Sequence, residues 1–491
     1  MKRLKKVLCI FLALCLSLGL LSACTTPPQS PAGQTPTQPD ASDPLPETPP
    51  QQALPVSLPV ELSQGFDPYE TRSAANRLVL ELVLEPLFAV SPEGEPIPVL
   101  ATDYTVSADG LTTEIALRTG VTLQDGTPLT ASLVAQALTQ ARSSGIYKER
   151  LQALTSVTPG ENTVTLTTDR AYECLPLLLD MPIALLSGDL PVGTGPYAFR
   201  SEGELIPSPG WRQDAAYPAG ETEVQLIPVT SARDLRQGFL YGDLSALFTD
   251  PNGDNVLGDI SRQTLYAVET TVLQYVGFIL QKGVFSSAAI RSAVTFAIDR
   301  EAIVREDMGS FGVAVTLATR PGSVWEHLSL LQGYGYYPQN LADSLGGAKT
   351  ATMIVSDQSD QRIATARRIA ASLTDCGITV ELKVLTPSAF SAALENGDFD
   401  LYYAETRLSP NLDLSPFFLD GGSLAYGGLS TWTEAAELCR QTLANRGNAY
   451  DLQKLILKQG LICPVAFKKT VICVKNGIFS DVSPQLGGWS F

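Results

Sequence analysis

The chain has 491 residues, 44% of them hydrophobic, enough for two or three domains around a sizeable core. Its formal net charge of −17 argues against nucleic-acid or anionic-lipid binding, both of which need basic patches. The single histidine, His327, excludes HExxH chemistry and imidazole metal clusters, and no G-x-S-x-G, P-loop or dinucleotide fingerprint is present, so much catalytic chemistry is excluded and no cofactor is expected.

In chain order, Lys2, Arg3, Lys5 and Lys6 precede an uncharged apolar run, residues 7–20. That run is too short for a comfortable membrane span and has the size of a signal h-region. It closes on Leu21-Ser22-Ala23-Cys24, which resembles the lipobox of bacterial lipoproteins. The resemblance implies cleavage before Cys24 and lipid on its sulfur, holding the mature chain outside the cytoplasmic membrane; the alternative is a secretory signal with an incidental cysteine. Residues 25–52 hold nine prolines and no aromatic residue, a composition that builds no core. Extended, they would reach roughly 90 Å at about 3.1 Å per residue, a tether suited to a Gram-positive wall. Cys174, Cys376, Cys439, Cys463 and Cys473 form no CxxC pair and read as small buried apolar residues, with Cys463 and Cys473 able to pair across a hairpin.

Folded sequence is expected from residue 55. A strand is read at 55–62, then a helix at 73–84 with Ser73 as N-cap. Turns at Pro92-Glu93-Gly94, Asp109-Gly110, Thr119-Gly120 and Asp125-Gly126 separate short strands, of which 113–117 alternates as a half-buried one. Thr130 can cap a helix through Val134 and Leu138, 157–168 reads as a hairpin, and 172–179 as a short helix. Gly193-Thr194-Gly195-Pro196-Tyr197 reads as a tight crossover whose glycines allow positive φ. A strand at 223–229, a helix at 231–240, and an amphipathic helix with Ile290, Val294 and Ile298 on one face follow. Arg291, Asp299 and Arg300 are expected to form structural ion pairs. Residues 351–355, 360–373 and 379–385 give strand, helix, strand, a parallel βαβ unit with Gly377 just past the helix. A helix at 387–394, a strand at 400–404 and a last short strand at 471–474 complete the reading.

Several unequal pieces in order carry a resemblance. Residues 100–112 (LATDYTVSADGLT) and 117–131 (LRTGVTLQDGTPLTA) are similar to "LAxxWxVSxDGLTYTF" and "LRxGVKFHDGTPLTAxDV" of the solute-binding proteins of peptide- and nickel-type ABC importers, family 5. Residues 193–197 match their "GTGPY", 274–278 their crossover strand, and 290–300 their "RVRQALxYAIDR". Tyr104, Ser132-Leu133 and Ile279 depart from the usual tryptophan, acidic pair and asparagine. The resemblance implies an α/β fold of the type II periplasmic-binding kind, two lobes on a hinge with an extra inserted domain. It implies a signal peptide at 1–23 and a lipidated linker at 24–54. Domain I would comprise 55–80, 192–272 and 462–491, domain II 81–191, and domain III 273–461. It further implies a monomer that captures a peptide or similar small organic solute and delivers it to an ABC permease and its ATPase. A peptide-sensing receptor of the same fold, or an exported hydrolase, are the alternatives.

The candidate site is residues 400–418. In peptide-binding relatives an aspartate after a tryptophan holds the peptide amine; here Ser409 stands at that aspartate and Thr406 at the tryptophan. Asp413 or Glu405 could replace it. Arg407, at a strand end, could hold a carboxylate through two parallel hydrogen bonds, or be a solvated residue paired with Glu405. Tyr403, Tyr426 and Phe417 are candidate cleft aromatics that could equally be core. Nickel fits poorly, since no histidine lies here.

Overall fold

The computed structural model describes residues 56–208, 211–212, 222–253, 263–475 and the backbone of 483–485 and 488–490. The expected leader, the expected lipid site at Cys24, the expected tether and most of the chain after residue 475 lie outside the described residues.

Strand β1 (Val56–Val60) is buried along its whole length. Helix α1 (Ala74–Val83) follows, and its first turn is closed by the Ser73 hydroxyl, which accepts from the Asn76 amide at 3.3 Å. Replacing Ser73 with alanine is expected to cost about 1 kcal/mol of unfolding free energy, measurable by urea denaturation. The α1 face at Leu78, Val79, Leu82 and Val83 is buried, while Arg77 faces solvent. Strands β2 (Ala101–Val106), β3 (Thr112–Leu117), β4 (Leu154–Pro159) and β5 (Thr163–Thr168) form an antiparallel sheet in the order β2-β3-β5-β4. On β3, Thr113, Ile115 and Leu117 point into the core while their neighbours do not, the period-two pattern of a half-buried strand. Helix α2 (Ala131–Ser143) packs on this sheet, its N-terminus capped by Thr130. Strands β6 (Tyr197–Ser201), β7 (Glu204–Pro207) and β8 (Val224–Pro228) join β1 in the order β1-β8-β7-β6, the β1/β8 pair parallel. Helix α3 (Ala232–Leu240) is capped by Ser231.

The second half is built on one seven-stranded sheet. It contains β9 (Ala246–Thr249), the 15-residue β10 (Thr264–Phe278), β11 (Lys349–Ser356), β12 (Ile378–Leu385), β13 (Leu401–Arg407) and the 13-residue β14 (Ile462–Val474). The order is β9-β14-β10-β13-β11-β12, with the short strand Gly312–Ala314 also on β14. β11 is parallel to β12 and β13, as the intervening helix α5 (Asp360–Asp375) requires; α4 (Ala288–Ala297) and α6 (Pro387–Asn396) complete this half. The long pair β10/β14 serves two cores. Val268, Ile472 and Val474 pack with α1 and the β2–β5 sheet. Leu273, Tyr275, Phe278, Val465 and Phe467 pack with β11 and β13. Between the two regions the β10/β14 register breaks, from Glu269 to Leu273.

Four local expectations are corrected. Gly193 and Gly195 do not take positive φ. A Cβ on Gly195 would lie 2.6 Å from the Leu82 carbonyl oxygen, so these glycines serve close approach of two backbones instead. Gln124 staples that crossing, donating to the Val83 and Tyr197 carbonyls at 2.7 Å each and accepting from the Gly193 amide at 2.6 Å. The amphipathic helix ends at Ala297; Ile298 is extended and Asp299 caps a separate turn at Arg300–Ala302. Among the described residues Arg291 and Arg300 make no ion pairs. Arg291 donates to the carbonyls of Phe285, Gln459 and Gly460, and Arg300 to those of Thr295, Val315 and Pro464. Each buried guanidinium thus satisfies backbone acceptors that strands and helices leave open. The short helix read at 172–179 is present as a 3-10 helix at Leu175–Leu179. Cys463 and Cys473 are free, buried, and lie on the same strand, ten residues apart, so no hairpin joins them.

Candidate functional site

Alternation along β13 sets Tyr403, Glu405 and Arg407 on one face, running from core to solvent. The three side chains meet three different environments. Tyr403 is 1% exposed, and its hydroxyl donates to Gln274 Oε1 at 2.6 Å. Gln274 stands directly opposite Glu405 on β10 and donates to its Oε2 at 3.1 Å. The same Gln274 amide exchanges hydrogen bonds with Gln361 of α5, which donates on to Thr365 at 2.9 Å. Every member of this buried row therefore has a partner.

Glu405 is not the partner of Arg407. It faces Lys468 of β14 at 3.2 Å, and the same ammonium is bound by Asp250 just past β9. Lys468 is 5% exposed within a mostly apolar strand, a position a lysine occupies almost only when paired. Burial alone would raise the Glu405 carboxyl; Lys468, Arg362 and Gln274 outweigh it and hold the group below the usual carboxylate range.

Arg407, one step further out, is solvent-exposed, and its side chain has no hydrogen-bond or ion-pair partner among the described residues. Crowding by the surrounding protein pushes its guanidinium below its ordinary value. The charge of Arg77 adds to that, and Glu405 and Asp250 act against it. Arg77, exposed on α1, likewise has no side-chain partner among the described residues. Two exposed guanidiniums from different halves of the fold thus each lack a side-chain partner among the described residues, which leaves both able to receive an anion.

The other expected residues serve elsewhere. Ser409 donates to Asn411 Oδ1 at 2.6 Å, and Asn411 in turn donates to the Tyr172 hydroxyl at 3.0 Å, fastening this loop to the segment after β5. Asp413 accepts from the Ser415 amide at 2.8 Å, capping the short turn that follows; burial pushes its carboxyl up. Phe417 is fully buried, edge-on to Tyr275 at 5.2 Å, and half-buried Tyr426 is edge-on to Tyr402 at 6.4 Å. Of the seven expected positions, the structure brings only Glu405 and Arg407 to the open surface of β13 together. Arg77, Asp250, Lys468 and Gln274 were not foreseen. The one available signal was Lys468 itself, a charge inside the run CPVAFKKTVICV.

A recess of about 590 Å³ lies apart from these residues, lined by Thr102, Thr119, Thr122, Thr194 and Arg212 among others; there Arg212 is already bound to Glu85 through both guanidinium nitrogens. Among the described residues no group of three or more His, Cys, Asp or Glu is placed to hold a metal ion. No described helix is long and apolar enough to cross a membrane.

Residues 95–423 match the family model described as bacterial extracellular solute-binding proteins, family 5 Middle. The chain is similar to the glutathione-binding protein GsiB of Salmonella typhimurium strain LT2, 24% identical over 297 residues, covering 56% of this chain and 57% of the relative. It therefore spans little more than half the length of the curated relatives it matches. In fold it is similar to MppA, a periplasmic murein tripeptide binding protein in its unliganded open form, with TM-score 0.72, 17% identity and coverage of 87% of this chain and 93% of that one. It is similar also to NikA from Brucella suis in complex with Fe(III)-EDTA, with TM-score 0.70, 14% identity and coverage of 88% and 98%. The fold is accordingly the two-lobed α/β architecture of the periplasmic-binding type.

Proposed function

This chain belongs to the bacterial extracellular solute-binding proteins of family 5, and we propose that it captures a small organic solute bearing a carboxylate, peptides included, between its two lobes. The observation that carries this reading is Arg407: solvent-exposed at the end of β13 and without a hydrogen-bond or ion-pair partner among the described residues, with Arg77 of α1 acting on it as a like charge. A carboxylate placed between them would relieve their repulsion and accept parallel hydrogen bonds.

In this reading one lobe is residues 55–80, 192–272 and 462–491 with 81–191 inserted, and the other is 273–461. The register break at Glu269–Leu273 on β10 lies where the chain passes between them and is the natural hinge. A solute touching Arg77 and Arg407 at once binds the closed form better than the open one, and that difference drives closure. The closed protein would then dock on an ABC permease whose ATPase powers uptake. Lipid on Cys24 and the proline-rich tether would keep it at the cell surface. The names of GsiB, a glutathione-binding protein, and MppA, a tripeptide-binding protein, support a solute of peptide size.

Native mass spectrometry of the purified chain, followed by denaturation and identification of what is released, tests the proposal. A stoichiometric carboxylate-bearing solute is expected. A protein that retains nothing, and whose melting temperature no peptide or organic acid raises, would contradict it.

A further inference from the structure

The charges around Arg407 are not evenly spent. The carboxylates that act on it are Glu405 and Asp250, and both are already bound to the buried ammonium of Lys468. The loop beyond β13 offers no replacement. Position 409 is a serine whose hydroxyl is engaged by Asn411, and Asp413 is turned to the Ser415 amide as a cap. Two guanidiniums are therefore free to receive an anion, while among the described residues each of these carboxylates is committed.

From this asymmetry we infer that the site selects a net-anionic solute that carries a carboxylate and lacks a free α-ammonium group. The class includes N-acylated amino acids and peptides and simple organic acids, and excludes ordinary free peptides as preferred ligands. The inference rests on the cleft reading above. An ammonium brought to this site would meet Arg77 and Arg407 as like charges. To pair with Glu405 it would have to displace Lys468, leaving a buried lysine without its counter-ion. A carboxylate without an attached ammonium meets neither obstacle, and the guanidinium fork suits its two oxygens.

The test uses the full-length chain and two pools of randomised di- and tripeptides, one with free amines and one N-acetylated. Retention is read by native mass spectrometry and confirmed by thermal shift. The acetylated pool is expected to be retained at least tenfold better, with that preference lost in Arg407→Ala and reduced in Arg77→Ala. Equal or better retention of the free pool, still sensitive to Arg407→Ala, would overturn this inference while leaving the cleft reading intact. Retention of neither pool, or retention of either that is indifferent to both substitutions, would overturn the inference together with the reading it rests on.

Discussion

Exchange of Lys468 for methionine is expected to lower the unfolding free energy by about 3–5 kcal/mol, the range for removing one partner of a buried ion pair. Methionine fills most of the lysine stem's volume, so packing along β14 changes little and the loss is electrostatic. The Lys468 side chain is 6% exposed and its ammonium holds Asp250 and Glu405 together across β10, so its removal leaves two carboxylates without their shared cation. The sign of the pH dependence separates this account from a packing defect. Glu405 is held below its ordinary value in the folded protein, so it contributes stability above its unfolded pKa of about 4.3, and that stability is lost as pH falls through the folded value. In the variant the compensating lysine is gone and burial raises the Glu405 pKa instead. Protonation then favours the folded variant, and the gap between wild type and Lys468→Met should narrow as pH falls from 7 towards 4. Urea denaturation at several pH values measures it. A gap below about 1 kcal/mol at neutral pH, or one independent of pH, would count against the ion triad.

Arg407→Ala is expected to weaken binding of the retained solute by about 2–4 kcal/mol, roughly 30- to 1,000-fold in Kd, as loss of a charged partner from an enclosed carboxylate does. Arg407→Lys should recover part of the loss, since an ammonium keeps the charge but not the two-pronged geometry. Neither change should lower the stability of the ligand-free protein by more than about 0.5 kcal/mol, because Arg407 is exposed and has no protein partner among the described residues. Isothermal titration of the released solute into each variant, with parallel denaturation curves, separates the two effects. An alanine variant that binds like wild type would remove Arg407 from the site.

Local signals in the chain were the ones that sequence alone could carry. Ser73 and Thr130 each close a helix end through a hydroxyl that accepts an amide three residues on, and such caps depend on adjacent residues only. The period-two burial of β3 and the strand–helix–strand unit around α5 are of the same kind. Arg407 drew notice because a charge at the end of an apolar strand has few structural uses. Its relation to Glu405 was not legible. Which cation a buried carboxylate takes depends on strand order, and Lys468 reaches Glu405 only because β14, β10 and β13 are consecutive in the sheet. Gly193 and Gly195 marked a tight crossing correctly but for another reason, since only the folded α1 shows what a Cβ would strike. Arg291 and Arg300 had carboxylates nearby in sequence and took carbonyls distant in sequence, a choice made by tertiary packing. Ser409 and Asp413 followed a count along the chain, whereas the loop is steered by Leu412 at positive φ and by its hydrogen bond to Tyr172.

Amide hydrogen exchange with and without the released solute tests the central claim most directly, because it reports where the solute sits. A solute held between Arg77 and Arg407 should slow exchange both in the α1 region, residues 70–83, and at the end of β13, residues 405–412, with both effects lost in Arg407→Ala. Protection confined to one of these segments, or appearing instead around Thr119 and Thr194, would contradict capture between the lobes.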